Sequence, residues 1–156
     1  FFLPRTYRVE RTIVIQARPE VVFAQIGDLR AWKNWGAWQE RDPAMKIETS
    51  AKSTGAGAWN RWESRTEGNG KMTFTAVEEG RSVAYLLEFP DMGTTSKGTM
   101  VLQDAGPGLK VVWVDAGDLG MNPMFRWFGL FLDRMIGPDF EKGLANLKRL
   151  AEAPPK

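Results

Sequence analysis

Apolar and polar positions alternate along most of this chain, and the period changes twice. Residues 7–17 put Val9, Ile13 and Ile15 on one face and Glu10, Thr12 and Gln16 on the other, which predicts a strand closed by Pro19. Pro19-Glu20 then opens a helix, with proline at the first helical position and an acid in the first turn. Val22, Phe23 and Ile26 form its apolar stripe and Gly27-Asp28 ends it. Residues 29–35 predict a second short helix carrying Trp32 and Trp35. Six further strands are predicted over 44–50, 58–65, 71–78, 81–89, 96–103 and 109–116. Gly55 and Gly57, Glu79-Gly80 and residues 104–108 mark turns. Glu67-Gly68-Asn69-Gly70 predicts a tight hairpin, because Asn-Gly supplies the positive φ such turns need. Strands at this spacing predict one antiparallel sheet of about seven strands.

The period lengthens again after residue 121. Asn122-Pro123 reads as a cap followed by proline at the first helical position. Met124, Phe128, Phe131 and Met135 fall on one line, flanked by Phe125, Leu132 and Ile136 on one side and Trp127 on the other. This apolar arc is wider than the ~100° stripe of an ordinary surface helix. Beyond Gly137-Pro138, a narrower stripe of Phe140, Leu144, Leu147 and Ala151 points elsewhere, so a kink or restart is expected at Gly137-Pro138 to bring both stripes to the sheet. Pro154-Pro155 terminates the helix. A sheet wrapped around so aromatic a helix tends to enclose a cavity.

Composition narrows the chemistry. The chain of 156 residues, 43% apolar, fits one α+β domain over residues 5–152. It holds 7 Trp and 9 Phe but neither His nor Cys. That removes disulfides, thiolate nucleophiles, Cys/His zinc sites and Ser-His-Asp machinery. Any proton transfer must come from Asp, Glu, Lys, Arg or Tyr. No cofactor and no metal are expected. The net charge of +2 is spread without a basic block, so no nucleic-acid partner is expected. The chain begins Phe1-Phe2-Leu3-Pro4-Arg5. One reading is an arbitrary boundary. The preferred one makes residues 1–4 the remnant of an N-terminal membrane anchor or signal segment, since a soluble domain gains little from two leading Phe. The corresponding locations are a membrane-anchored soluble domain or the cytoplasm.

The order of elements, together with several motifs, resembles the helix-grip fold of the SRPBCC (START-like) superfamily, and within it the polyketide cyclase/dehydrase-like group. The residues carrying the resemblance run from Val9 to Phe23, then Asp28-Leu29-Arg30-Ala31-Trp32-Lys33-Asn34-Trp35, Gly57-Ala58-Trp59-Asn60-Arg61-Trp62-Glu63, Gly70-Lys71-Met72, and Gly137-Pro138-Asp139-Phe140 through Lys148. The resemblance covers nearly the whole chain. It implies a curved antiparallel sheet gripping a long C-terminal helix, with two short helices after the first strand and an elongated cavity between sheet and helix. The superfamily includes lipid carriers, hormone receptors, polyketide cyclases and co-chaperones. Members with this ending often carry a hydrophobic helix before the first strand, in keeping with the stub.

Strand parity nominates the inner wall. Trp62 shares a face with Asn60 and Ser64, Met72 with Phe74 and Ala76, and Val83 with Tyr85, Leu87 and Phe89. Met100 and Leu102 go with Ser96 and Gly98, and Val111 with Trp113 and Asp115. The ligand-contacting set is therefore Trp38, Asn60, Trp62, Met72, Phe74, Tyr85, Leu87, Met100, Trp113, Met124, Phe128, Phe131, Met135 and Phe140. These same rows equally describe a closed core. The small Gly98 and the adaptable Met residues favour an open space. Tyr85, Asn60, Ser64 and Asp115 are the inward polar groups. Asp115, near its strand end, is expected at a solvated rim, while Tyr85 and Asp115 are also the two weak catalytic candidates. Glu63 and Glu88 fall on the outer face, and Asp42 in a turn. Trp32 and Trp35 are expected to anchor the short helices, and Trp38 to sit at the cavity mouth. Trp59, on the outer parity, either packs under a loop or marks a contact patch. Residues 117–128 read either as an ordinary loop or as a lid hinged at Gly117 and Gly120, with Leu119, Met121, Met124 and Phe125 touching a ligand or dipping into a membrane surface.

Three functions follow. The first is binding or transport of a hydrophobic small molecule such as a lipid, polyketide or isoprenoid. The second is a cyclase or dehydratase in which Asp115 or Tyr85 moves protons. The third is a co-chaperone-like interaction module using the sheet exterior around Trp59.

Overall fold

The computed structural model describes residues 3–154. Phe1, Phe2 and Pro155, on which the anchor and terminator expectations partly rest, lie outside the described residues. Strand β1 (Thr6–Ile15) is followed by α1 (Pro19–Ile26), a single 3₁₀ turn (Trp32–Asn34) and α2 (Ala37–Arg41). Strands β2 (Lys46–Thr49), β3 (Trp59–Glu63), β4 (Gly70–Glu78), β5 (Ser82–Phe89), β6 (Thr94–Ala105) and β7 (Gly108–Asp118) come next, then α3 (Pro123–Gly129) and α4 (Leu132–Glu152). All seven strands form one antiparallel sheet in the order β1-β7-β6-β5-β4-β3-β2. The sheet curves around α4, giving the helix-grip α+β architecture.

The short helices are fixed by tryptophan. Val22, Phe23 and Ile26 bury the apolar stripe of α1. The Trp32 and Trp35 indoles donate to the carbonyls of Ile26 and Gln25, at 2.8 and 3.1 Å, and so satisfy two acceptors that a helix end leaves open. The segment predicted as a second helix over 29–35 shrinks to the 3₁₀ turn, and the real second helix is α2, one step later. Asn146 on α4 is buried and pins this region. Its amide donates to the Trp35 carbonyl and to Glu40, each at 3.0 Å, and it accepts from Arg149 at 2.9 Å.

Three local expectations need correction. The β3–β4 connection is not a two-residue Asn-Gly turn: Asn69 has negative φ, and Gly68 alone there is left-handed, at φ 78°. Ser64 organises that loop instead, accepting from the backbone of Thr66 and Glu67 and donating to Asp42 at 2.6 Å. It does not face inward. In β4 a bulge between Phe74 and Ala76 switches the parity, so Ala76 is exposed and Val77 takes the inward place.

The third correction concerns the C-terminal helix. It breaks at Leu130-Phe131 rather than at Gly137-Pro138. Tight bonds from Leu130 N–H to the Trp127 carbonyl (3.2 Å) and from Phe131 N–H to the Phe128 carbonyl (2.9 Å) close α3, and Met135 N–H to the Phe131 carbonyl (3.0 Å) starts α4. Pro138 lies inside α4 without ending it. Arg11 on β1 pairs with Asp133 before the proline (2.7 Å) and with Glu141 after it (3.5 Å), which clamps both sides to the sheet. The stripe of Phe140, Leu144, Leu147 and Ala151 is buried against the sheet. The aromatic stripe is not: α3 has no buried residue, and Met124 is 65% exposed and Trp127 51%.

Candidate functional site

Because α3 and the first turn of α4 do not seal onto the sheet, a cavity of about 500 Å³ remains between the inner sheet face, α2 and these helices. The structure brings ten of the nominated residues to its wall: Trp38, Asn60, Trp62, Met72, Tyr85, Leu87, Trp113, Phe128, Met135 and Phe140. Four others stand elsewhere. Phe74 and Met100 are fully buried in the solid part of the core; Trp32 covers Phe74, with ring centres 6.4 Å apart. Met124 and Phe131 lie off the wall and are exposed: the break at Leu130-Phe131 splits their line, and only Phe128 and Met135 of it reach the cavity. In the expected lid, Leu119 and Phe125 line the cavity, whereas Met121 and Met124 are exposed. Gly120 turns the chain at φ 71°, but Gly117 belongs to β7 and is no hinge.

One wall is aromatic. Trp113 stacks on Phe140 with ring centres 4.0 Å apart and planes 5° from parallel. Trp38 meets both edge-on, at 6.2 and 6.0 Å. Such contacts are worth about 0.5–1.5 kcal/mol each beyond burial and hold the rings at fixed angles.

The buried end is polar and centres on Asp115, which is 3% exposed rather than at a solvated rim. β1 extends alongside it, pairing Val9 with Asp115 and Tyr7 with Gly117. Two tyrosines converge on the carboxylate. Tyr7 Oη donates to Asp115 Oδ1 at 3.4 Å and Tyr85 Oη to Oδ2 at 3.5 Å, while Trp113 Nε1 donates to Tyr85 Oη at 2.8 Å. Two glycines make this approach possible. Tyr85 pairs with Gly98, which pairs with Asp115, and a Cβ on Gly98 would collide with the Tyr85 ring. A Cβ on Gly117 would likewise collide with the Tyr7 ring. Gly98 therefore hosts a phenol and does not enlarge the cavity.

Burial pushes the Asp115 carboxyl up to about 6, although hydrogen bonds from Ser96, Tyr7 and Tyr85 pull it back in part. Burial, then the Asp115 charge, raises Tyr7 to about 12, and the same causes hold Tyr85 well above its ordinary value. Two other carboxylates on the wall are neutralised by arginines. Asp118 pairs with Arg5 at 2.9 Å, and Glu67 with Arg41 at 2.6 Å; Arg41 also holds Asp139. Asn60 is occupied structurally, accepting from Thr49 at 2.6 Å and donating to the Leu29 carbonyl at 3.1 Å. Gln39 Oε1 is the one buried side-chain polar atom without a partner among the described residues.

Sequence reasoning missed Tyr7, Gln39, Met45, Ile47 and Met92 on the wall. Tyr7 was within reach, since it shares the parity of Val9. Gln39 and Met45 sit on and after α2, a helix the pattern did not reveal. Trp59 lies partly buried on the outer face between Arg61 and Lys71, whose charges stand 5.5 and 5.3 Å from its ring centre. No group of three or more acidic residues among the described residues is placed to hold a metal, and no described helix is long and apolar enough to cross a membrane.

A curved antiparallel sheet, a gripped helix and a partly open, mostly apolar cavity define a helix-grip architecture of the SRPBCC type. The sequence pattern of the polyketide cyclase / dehydrase and lipid transport family matches residues 6–152, and the chain belongs to that family. No curated protein matches it. Among solved structures, protein CV1439 from Chromobacterium violaceum is similar with a TM-score of 0.66 and 18% identity, over 97% of this chain and 100% of that one. The Aha1 dimer from Colwellia psychrerythraea is similar at 0.65 and 14%, over 93% and 96%. DynU16, from the dynemicin biosynthetic locus, is similar at 0.64 and 17%, over 94% of this chain and 47% of that one. At these identities the likeness concerns the fold.

Proposed function

We propose that this domain binds a largely apolar small molecule of the lipid, polyketide or isoprenoid kind, with its polar end at the Tyr7–Asp115–Tyr85 cluster. The observation that carries this is a cavity of about 500 Å³ whose wall is apolar except for a few convergent polar groups. Met72, Leu87, Phe128 and Met135 take the body of the ligand, and Gln39 offers it a free carbonyl oxygen as an acceptor. The α3 segment is the way in: its inner side chains Phe125 and Phe128 line the cavity, and none of its residues is buried. The test is mass spectrometry of organic extracts from protein purified without detergent, with displacement of a fluorescent hydrophobic probe by whatever is recovered. A stoichiometric apolar compound that competes for the cavity supports the proposal. Absence of any bound compound, together with a probe that never enters, defeats it.

One observation favours a second reading, acid–base catalysis on such a ligand. Asp115 is a buried carboxyl with its pKa at about 6, between two phenols and on the cavity wall. Under this reading Asp115→Asn loses conversion of the extracted compound by a far larger factor than it loses affinity for it. A variant that keeps full turnover removes Asp115 from the chemistry.

A further inference from the structure

The cavity wall is one-sided in charge. It carries Glu67, Asp115 and Asp118 but no Lys or Arg among its lining residues. Glu67 and Asp118 are already paired with Arg41 and Arg5, whose side chains stand outside the wall. Asp115 is different. It is the wall carboxylate with no cationic partner among the described residues, and it is buried. An unpartnered buried charge is costly, and a ligand that supplies the missing cation recovers that cost.

The groups that do face Asp115 leave it unsatisfied. They are Tyr7 from β1, Tyr85 from β5 and Ser96 from β6, all uncharged donors. Both tyrosine bonds are long, at 3.4 and 3.5 Å, against roughly 2.6 Å for a strong bond from a hydroxyl to a carboxylate. An ionised carboxylate has about four acceptor sites, so room remains for a donor from the cavity. With its pKa at about 6 the group is mostly ionised at neutral pH. A carboxylate or phosphate headgroup finds the opposite conditions, with no cation to receive it and a like charge at the polar end.

We propose that the cavity selects an apolar ligand bearing a protonated amine, which Asp115 receives at the buried end between Tyr7 and Tyr85. This rests on the cavity being a binding site at all, and it names the chemical class of the occupant. Because the amine enters as an ammonium, no covalent step is required.

The experiment uses three probes of equal chain length: decylamine, decanol and decanoic acid. Each is titrated against the intact protein at about pH 7, following displacement of a hydrophobic fluorophore. Decylamine is expected to bind at least about tenfold more tightly than decanol, the preference of a charge-assisted hydrogen bond, and decanoic acid more weakly than either. In Asp115→Asn the amine-to-alcohol preference is expected to vanish. If that variant does not fold, the unaltered protein is measured at about pH 5, where protonation of Asp115 should shrink the amine-to-alcohol ratio. Equal affinities for amine and alcohol, a preference for decanoic acid, or an amine preference that survives in Asp115→Asn would each overturn the inference while leaving hydrophobic binding intact. Failure of all three probes to displace the fluorophore overturns the binding function itself.

Discussion

The two halves of the C-terminal helical region behave in opposite ways. The first, α3 with the opening turn of α4, is the richer in apolar side chains, with Met124, Phe125, Trp127, Phe128, Leu130, Phe131 and Met135. All seven are among the exposed large hydrophobic residues. The second half carries only a narrow stripe, yet Phe140, Leu144 and Leu147 are among the most deeply buried side chains of the molecule. Apolar content therefore does not tell where the core is. The narrow stripe repeats at helical spacing along one continuous helix and packs against the sheet, closing it as a core does. The broad one sits on a seven-residue helix and is split by the break at Leu130-Phe131, so part of it roofs the cavity and part faces solvent.

That contrast is tested first by truncation. Phe140→Ala is expected to cost about 3–5 kcal/mol in denaturant unfolding, since it removes a buried ring stacked on Trp113. Met124→Ala is expected to stay within about 0.5 kcal/mol. Comparable losses at both positions would mean that α3 packs as a second core.

The polar end of the cavity gives the next largest effect. The folded Asp115 pKa lies above its ordinary 3.8, at about 6. The folded state therefore holds this proton more tightly. The contribution is complete below about pH 4 and disappears as pH rises through about 6. The shift corresponds to roughly 3 kcal/mol. Between about pH 4 and pH 6, stability relative to Asp115→Asn should therefore fall with rising pH. A flat difference would place the carboxyl in water.

Close to Asp115, Gly98→Ala is expected to cost about 1–3 kcal/mol, because the new methyl group meets the Tyr85 ring. Melting temperature reports it, and an unchanged value would show that the phenol does not lie across Gly98. A small stability effect is expected at the roof. Phe128→Ala should change stability by less than about 1 kcal/mol, while weakening a hydrophobic probe severalfold. A Phe128→Ala protein that loses stability but binds the probe as before would assign the ring to the core.

The order of elements was legible because alternation and turn residues are local signals, and the inner parity of β5 and β7 correctly aligned Tyr85, Trp113 and Asp115. What escaped was set by distant partners. Ala76 was assigned inward because a bulge leaves no mark in the alternation. Asp115 looked like a rim residue because only the register of β1 against β7, with Val9 opposite Asp115 and Tyr7 opposite Gly117, buries it. Phe74 and Met100 share parity with true wall residues, and parity cannot say that Trp32 fills the space over Phe74. Arg11 gripping both Asp133 and Glu141 carries α4 through Gly137-Pro138, and that clamp spans most of the chain.

The methionines offer the most direct measurement. Met45, Met72, Met92 and Met135 line the cavity, while Met100 is buried away from it and Met121 and Met124 face solvent. With the methyl groups of the 7 methionines isotope-labelled and assigned, a hydrophobic probe is titrated and the shifts are followed by NMR. Binding in the cavity should move Met72, Met45 and Met135 together, at one saturation point, and leave Met100 and Met121 in place. Shifts confined to Met121 and Met124, or no saturable shift at Met72, would contradict a ligand between sheet and helix.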